Sequence, residues 1–232
     1  MIDFHSHILP AIDDGSQDII TSLKMIEELS LNGIDTIILT PHFYPHKISL
    51  EKFLNNRETA FEKLISVTET KIKLILASET YLSDYIFNYD NISDLCVSEK
   101  YILTELPYST DYLESTYNSV LRLINNFNVI PILAHIDRYP FLMKSSDNLH
   151  KFLDLGCLVQ INISSLCNFF LRKKLLNYIE NDYIHVIGTD FHRLPFDSKI
   201  YKKSLNIISK KIGEEYIQNF ITNANNIIFP IN

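Results

Sequence analysis

Short apolar, β-branched runs recur along the chain at Ile2–His5, Thr36–Thr40, Leu74–Ala77, Tyr101–Thr104, Val129–Ala134, Leu158–Ile163 and His185–Thr189. Each reads as a strand, and their near-continuous apolar character suits a parallel sheet covered on both faces. Between them apolar positions repeat at helical spacing, as at Ile19, Leu23, Ile26 and Leu29, at Leu54, Phe61 and Leu64, and at Leu121 with Ile124. Ser16 is placed to cap the first of these helices and Gly33 to end it. Strands alternating with helices imply βαβ units, and this number of them favours a closed α/β barrel over an open doubly wound sheet. No linker or low-complexity tract interrupts the 232 residues, so 1–232 is expected to form one domain.

Composition narrows the chemistry. The net charge is −7 and no long basic run occurs, which disfavours a nucleic-acid scaffold held by bulk charge. An acidic enzyme that holds phosphate needs another positive charge, and bound metals would supply it. Cys96, Cys157 and Cys167 have no paired spacing and suit reduced thiols. A thiol phosphatase needs an Arg six residues after its nucleophile, but those positions hold Ile102, Ile163 and Lys173. Five scattered glycines form neither a Walker A loop nor a dinucleotide fingerprint. The N-terminus lacks a basic, apolar leader, and no apolar run reaches the ~18 residues of a membrane span, so a cytoplasmic protein without membrane insertion is expected.

The His, Asp and Glu residues fall at strand ends. His5 and His7 close the first run, His42 follows the second and Glu79 the third; Glu105 ends the fourth, His135 the fifth, and Asp190 with His192 the last. In a parallel barrel all these ends open on one mouth, where active sites of such folds are built. Residues two apart on a strand point the same way, so His5 with His7, or Asp190 with His192, can share an ion. Imidazole with carboxylate suits zinc, manganese or ferrous iron, and a carboxylate can bridge two ions. Any one of these histidines, taken alone, is more often a hydrogen-bonded structural residue than a metal ligand. Together with Asp14 they would be a costly coincidence, because unpaired buried charges are expensive. His46, His150 and His185 do not share the pattern and receive no role.

The opening Met1–Ser16 segment, with His5-Ser6-His7 and Asp13-Asp14-Gly15, resembles the PHP (polymerase and histidinol phosphatase) superfamily. Within it the chain is similar to the metal-dependent protein-tyrosine phosphatases encoded with bacterial capsular and exopolysaccharide genes. Thr40-Pro41-His42, Ser78-Glu79, Thr104-Glu105-Leu106-Pro107, Ala134-His135-Ile136-Asp137-Arg138-Tyr139 and Gly188-Thr189-Asp190-Phe191-His192 follow in the family's order. The resemblance implies a distorted TIM-like (β/α)7 barrel with two or three divalent ions, Mn2+ foremost and Zn2+ or Fe2+ as alternatives. His5, His7, Glu79 and Asp190 would hold the first ion, Glu79 bridging to a second on Glu105 and His135, with Asp14, His42 and His192 on a third.

Arg138 matches a family arginine that contacts the phosphoryl group. A second family arginine falters here: Arg193, the candidate to take its catalytic place, is displaced from the expected position, and Asp197 lies near it. Phe43, Tyr44 and Tyr108 are candidates for packing on a phosphotyrosyl ring. The implied partner is a phosphotyrosine protein, the tyrosine-rich tail of an autophosphorylating kinase. A small-molecule phosphatase such as a histidinol phosphatase would share every ligand. A phosphotyrosine-binding regulator with little turnover is the reading from a different class. An amidohydrolase-type nuclease also begins with His-x-His, but Asp14, Glu105 and the terminal Asp-x-His fit it poorly.

Overall fold

The computed structural model describes residues 1–69, 71–195 and 199–230. Its strands are β1 (Ile2–Ser6), β2 (Thr36–Leu39), β3 (His42–Phe43), β4 (Lys73–Leu76), β5 (Glu79–Tyr81), β6 (Tyr101–Glu105), β7 (Ile130–Leu133), β8 (Leu158–Asn162) and β9 (Val186–Gly188). The hydrogen-bonded orders are β1-β2-β4 and β3-β5-β6-β7-β8-β9, and the paired strands run parallel. The ends meet where Asp190 N donates to His5 O at 2.8 Å and His7 N donates to Phe191 O at 3.0 Å. The result is a curled parallel α/β barrel.

Seven sequence runs correspond to nine strand segments because two strands break near their C-terminal ends. Thr40-Pro41 separates β2 from β3, and Ala77-Ser78 separates β4 from β5. Proline supplies no N–H to continue a ladder. At the second break, buried Arg57 donates to Ala77 O at 3.2 Å and to Ser78 Oγ at 2.8 Å. His42 and Glu79 therefore open strands of their own, side by side in register, instead of merely trailing the preceding strands.

The first helix, α1 (Ile19–Leu31), is capped by Asp18 and not by Ser16: the Asp18 carboxylate accepts from Thr21 N at 2.8 Å. Ser16 is buried instead and pairs its hydroxyl with Ser22 at 2.8 Å. Gly33 follows the helix at φ +84°, a left-handed conformation glycine adopts without strain. Helices α2 (Leu50–Val67), α3 (Glu114–Phe127), α4 (Pro140–Lys144), α5 (Ser146–Asp154), α6 (Phe169–Glu180) and α7 (Lys199–Lys211) succeed one another along the chain. The last, α8 (Glu215–Ile228), contributes Ala224, Ile227 and Ile228 to an inner apolar cluster with Phe4, Ile38 and Ile132.

His185 lies just before β9 instead of within a strand. Its Nδ1 accepts from Val159 N at 3.1 Å, and burial lowers its pKa from the ordinary 6.5. The unfolded chain therefore binds this proton more readily. The contribution to stability is present above pH ~6.5 and fades as the pH falls. A denaturant titration between about pH 7 and 5 is expected to show a shallower loss of stability in His185→Asn than in the parent.

Candidate metal centre

Strand β1 sets the site through a register irregularity. Asp3 lies beside Ile37 and Ser6 beside Leu39, so three steps on β1 match two on β2. A bulge of this kind re-aims the side chains beyond it. Phe4 still joins the inner apolar cluster, yet His5 and His7 also reach the barrel mouth with their Nε2 atoms 3.0 Å apart. Both rings are fully buried.

Glu79 stands at the centre. Its Oε2 lies 3.1 Å from His5 Nε2, 3.2 Å from His7 Nε2 and 2.9 Å from His42 Nδ1, and its Oε1 lies 2.7 Å from His135 Nε2. Asp190, at φ +54°, brings Oδ1 within 3.6 Å of His5 Nε2 and 3.4 Å of His7 Nε2. Toward solvent, Asp14 Oδ1 lies 3.7 Å from His42 Nε2 and 3.5 Å from His192 Nε2. Glu105 Oε2 lies 3.9 Å from His42 Nδ1. All nine residues expected from sequence to be ligands fall into four overlapping groups: His5, His7, Asp190; His5, Glu79, His135; His42, Glu79, Glu105; and His7, Asp14, His42, His192.

Divalent cations fit this arrangement. Buried His42 Nδ1, Glu79 Oε2, Glu105 Oε2 and Asp190 Oδ1 have no hydrogen bond of acceptable geometry, although they crowd one another. Orphaned buried polar atoms cost roughly 1–3 kcal/mol each, more when charged, and a shared cation removes that cost. The electrostatics agree. Burial opposes ionisation of Glu79, but the positive charge on His5 and the hydrogen bond from His135 to Oε1 hold its pKa well below the usual range. Glu105 is pushed up, by burial and then by the charge on Glu79. Two carboxylates so close stay ionised together most readily around positive charge.

Several polar residues that orient these groups escape the strand-end pattern. Asp13 Oδ2 accepts from His7 Nδ1 at 2.7 Å and from His42 N at 2.9 Å, and its pKa, despite burial, is lowered to about 2 by His7. Such a carboxylate fixes the tautomer that turns His7 Nε2 inward. Gln160 Oε1 accepts from His135 N and stands 3.3 Å from His5 Nδ1. Its amide donates to Asn162 Oδ1 at 3.1 Å, and Asn162 donates to Asp190 Oδ2 at 2.8 Å. Gln160 and Asn162 are two apart in a buried strand, the same periodic signal as His5-x-His7, and could have been found by it.

The remaining candidates divide. Arg138 is half-exposed at the rim and donates from Nη2 to Asp190 Oδ2. Tyr44 stacks on His42 with ring centroids 5.0 Å apart. Tyr108 is 70% exposed and packs on no ring of the cluster. Phe43 is fully buried against Phe53, 4.8 Å between centroids, which removes it from the mouth. Arg193 is exposed, and Asp197 lies outside the described residues. Exposed His46 packs edge-on near Tyr44, and His150 lies against Tyr183 at 4.7 Å.

A family described as capsular polysaccharide synthesis, CpsB/CapC, matches residues 1–229. The chain belongs to the CpsB/CapC family. Among CpsB/CapC proteins, the tyrosine-protein phosphatase CpsB of Streptococcus pneumoniae is 28% identical, over 98% of each chain. Tyrosine-protein phosphatase YwqE of Bacillus subtilis is 28% identical over 93% of this chain and 86% of its own length. The fold is similar to that in the crystal structures of YwqE and CpsB, described as unique metal-dependent tyrosine phosphatases, with a TM-score of 0.77 at 24% identity, covering 98% and 94% of the two chains. A histidinol phosphate phosphatase from Lactococcus lactis, crystallised with zinc, L-histidinol and phosphate, shares the fold at a TM-score of 0.58 and 18% identity, over 90% and 92%. Among the described residues no helix of this CpsB/CapC chain is long and apolar enough to cross a membrane.

Proposed function

We propose that the chain is a metal-dependent protein-tyrosine phosphatase, working in the cytoplasm on the tyrosine-rich tail of an autophosphorylating kinase of polysaccharide synthesis. The observation that carries this reading is the Glu79 carboxylate, shared by four imidazoles at the barrel mouth, with the Arg138 guanidinium on the rim beside it. Membership of the CpsB/CapC family supports the substrate class.

His5, His7, Asp14, His42, Glu79, Glu105, His135, Asp190 and His192 would hold two or three divalent ions, Mn2+ foremost with Zn2+ or Fe2+ as alternatives. When bound, such ions polarise phosphoryl oxygens and lower the pKa of water to about 7. The chain's own groups do the rest. Asp13 and Gln160 hold His7 and His5 with one nitrogen facing inward. Arg138 is positioned to donate to an equatorial phosphoryl oxygen as charge builds there. Tyr44, stacked on His42 with Lys47 Nζ 4.0 Å from its ring centroid, stands at the mouth where the substrate ring would lie. A tyrosyl leaving group, with a pKa of about 10, makes modest demands on a general acid. No thiol is needed: burial pushes Cys96 and Cys157 up to about 12, far from the thiolate a nucleophile requires.

Stripping the protein with a chelator is expected to abolish hydrolysis of a phosphotyrosyl peptide, and Mn2+ to restore it, with cysteine alkylation of little consequence. Full activity in metal-free protein would sink the proposal. Histidinol phosphate assayed alongside addresses the small-molecule alternative, which the lactococcal fold likeness keeps in view. Faster turnover of histidinol phosphate would favour it. Arg138→Ala is expected to lower kcat/KM by about 100-fold or more, the effect of losing one donor to developing charge, with Arg138→Lys intermediate. Metal content measured by plasma emission should stay at the parent level in both.

A further inference from the structure

Eight of the chain's 21 Lys and Arg residues, but one of its 28 Asp and Glu residues, lie in helices α6 and α7. No basic run marks this in the sequence, because the charges are arranged by helical spacing. Lys199, Lys202, Lys203, Lys210 and Lys211 fall on one face of α7 and, with Arg172 of α6, line an open groove of about 450 Å³. Helix α7 has no acidic residue that could neutralise them from within. Lys202 donates to Leu31 O at 3.0 Å, and Arg172 to Leu166 O and Cys167 O at 2.7 and 3.0 Å. Neutral carbonyls leave those charges in place. Lys203, Lys210 and Lys211 are exposed.

Beside this groove α6 opens with the two most exposed large hydrophobic residues among those described. Phe169 is 78% and Phe170 88% exposed, their rings edge to face at 5.8 Å. They precede Arg172 by less than one helical turn. Helix α6 follows β8 and α7 follows β9, so both helices begin on the rim that carries the metal centre.

We infer that this face docks on an anionic lipid bilayer, with Phe169 and Phe170 entering the headgroup region and the α7 lysines resting on lipid phosphates. Each lysine near an anionic surface contributes modestly, and a pair of aromatic side chains adds apolar burial, so the two signals reinforce one another. An apolar protein partner would use the rings and waste the charge. A single-stranded nucleic acid would want flat rings spaced for stacking, whereas these two form a wedge. The remainder of the chain is strongly acidic, so repulsion turns the other faces away and orients the contact. The barrel mouth then works close to the membrane surface without any segment crossing it.

The test is co-sedimentation of the full chain with vesicles of phosphatidylcholine alone and of phosphatidylcholine mixed with phosphatidylglycerol. The protein is expected to partition onto the anionic vesicles, in a salt-sensitive manner, and not onto the neutral ones. Charge reversal by Lys203→Glu, Lys210→Glu and Lys211→Glu together should lower partitioning by about tenfold or more. Phe169→Ser with Phe170→Ser should lower it several-fold at unchanged salt dependence. Hydrolysis of soluble p-nitrophenyl phosphate serves as the control for folding and should match the parent in both variants. Equal partitioning onto the two vesicle types, or undiminished anionic binding by the charge-reversed protein, overturns the inference. So does binding of a phosphotyrosyl peptide or an oligonucleotide that the charge reversal abolishes while vesicles stay unbound, which would give the stripe to that ligand.

Discussion

Glu79→Gln is expected to reduce phosphotyrosine hydrolysis by about a thousandfold or more, equivalent to losing several kcal/mol of transition-state stabilisation. The substitution preserves volume and removes one negative charge and one acceptor. Glu79 is the carboxylate that His5, His7, His42 and His135 all approach within 3.2 Å, so no neighbouring group can replace it. A carboxamide offers one oxygen where the geometry calls for two, and cannot offset divalent charge. Metal content by plasma emission is therefore expected to fall together with activity. Circular dichroism should stay near the parent, because β5 keeps its backbone pairing with β3 and β6. Retained metal with lost turnover would instead make Glu79 a group that acts on substrate directly.

Much of this site could be read in the sequence because strand ends in a parallel barrel converge by topology, whatever the loops do. His5 and His7 pointing the same way follows from a period of two. That they point inward does not, since Phe4, the neighbour of His5, also packs inside and only the bulge between Asp3 and Ser6 reconciles the two. Bulges leave no compositional mark. The same limit hid the breaks at Thr40-Pro41 and Ala77-Ser78, the second of which depends on Arg57 reaching across from α2. Sequence does not separate Asp13 from Asp14, because adjacent carboxylates differ in role only through direction: Asp13 is turned inward to His7, whereas Asp14 is 61% exposed. Gln160 and Asn162 carry no charge and so lie outside a search for ionisable residues, although polar pairs at strand period inside an apolar run need partners as much as ionised ones do. Ser16 does not cap for a local reason: Asp18, immediately before the first helical residue, is the one whose side chain reaches Thr21 N.

Gly188→Ala should show how closely the barrel seam and the metal centre depend on one another. A methyl group at Gly188 would lie 2.5 Å from His5 Cβ, 2.9 Å from His5 N and 3.0 Å from Gln160 Nε2. Two of these atoms are rigidly tied to β1, and the third belongs to the amide that orients His5 and His135. The seam can yield only by moving β9 from β1 or by turning His5 away from its partners. Overpacking of this kind costs about 1–3 kcal/mol, and a displaced ligand-orienting amide costs about 10–100-fold in metal affinity or activity. The melting midpoint and the Mn2+ concentration for half-maximal activity are both expected to shift against the variant. Gly33→Ala supplies the contrast: its added methyl meets nothing within 4 Å, but the backbone sits at φ +84°. That change should cost about 1 kcal/mol of stability through strain alone and leave the Mn2+ dependence unmoved. Equal Mn2+ dependence in the two variants would separate seam packing from ligand orientation and refute the coupling.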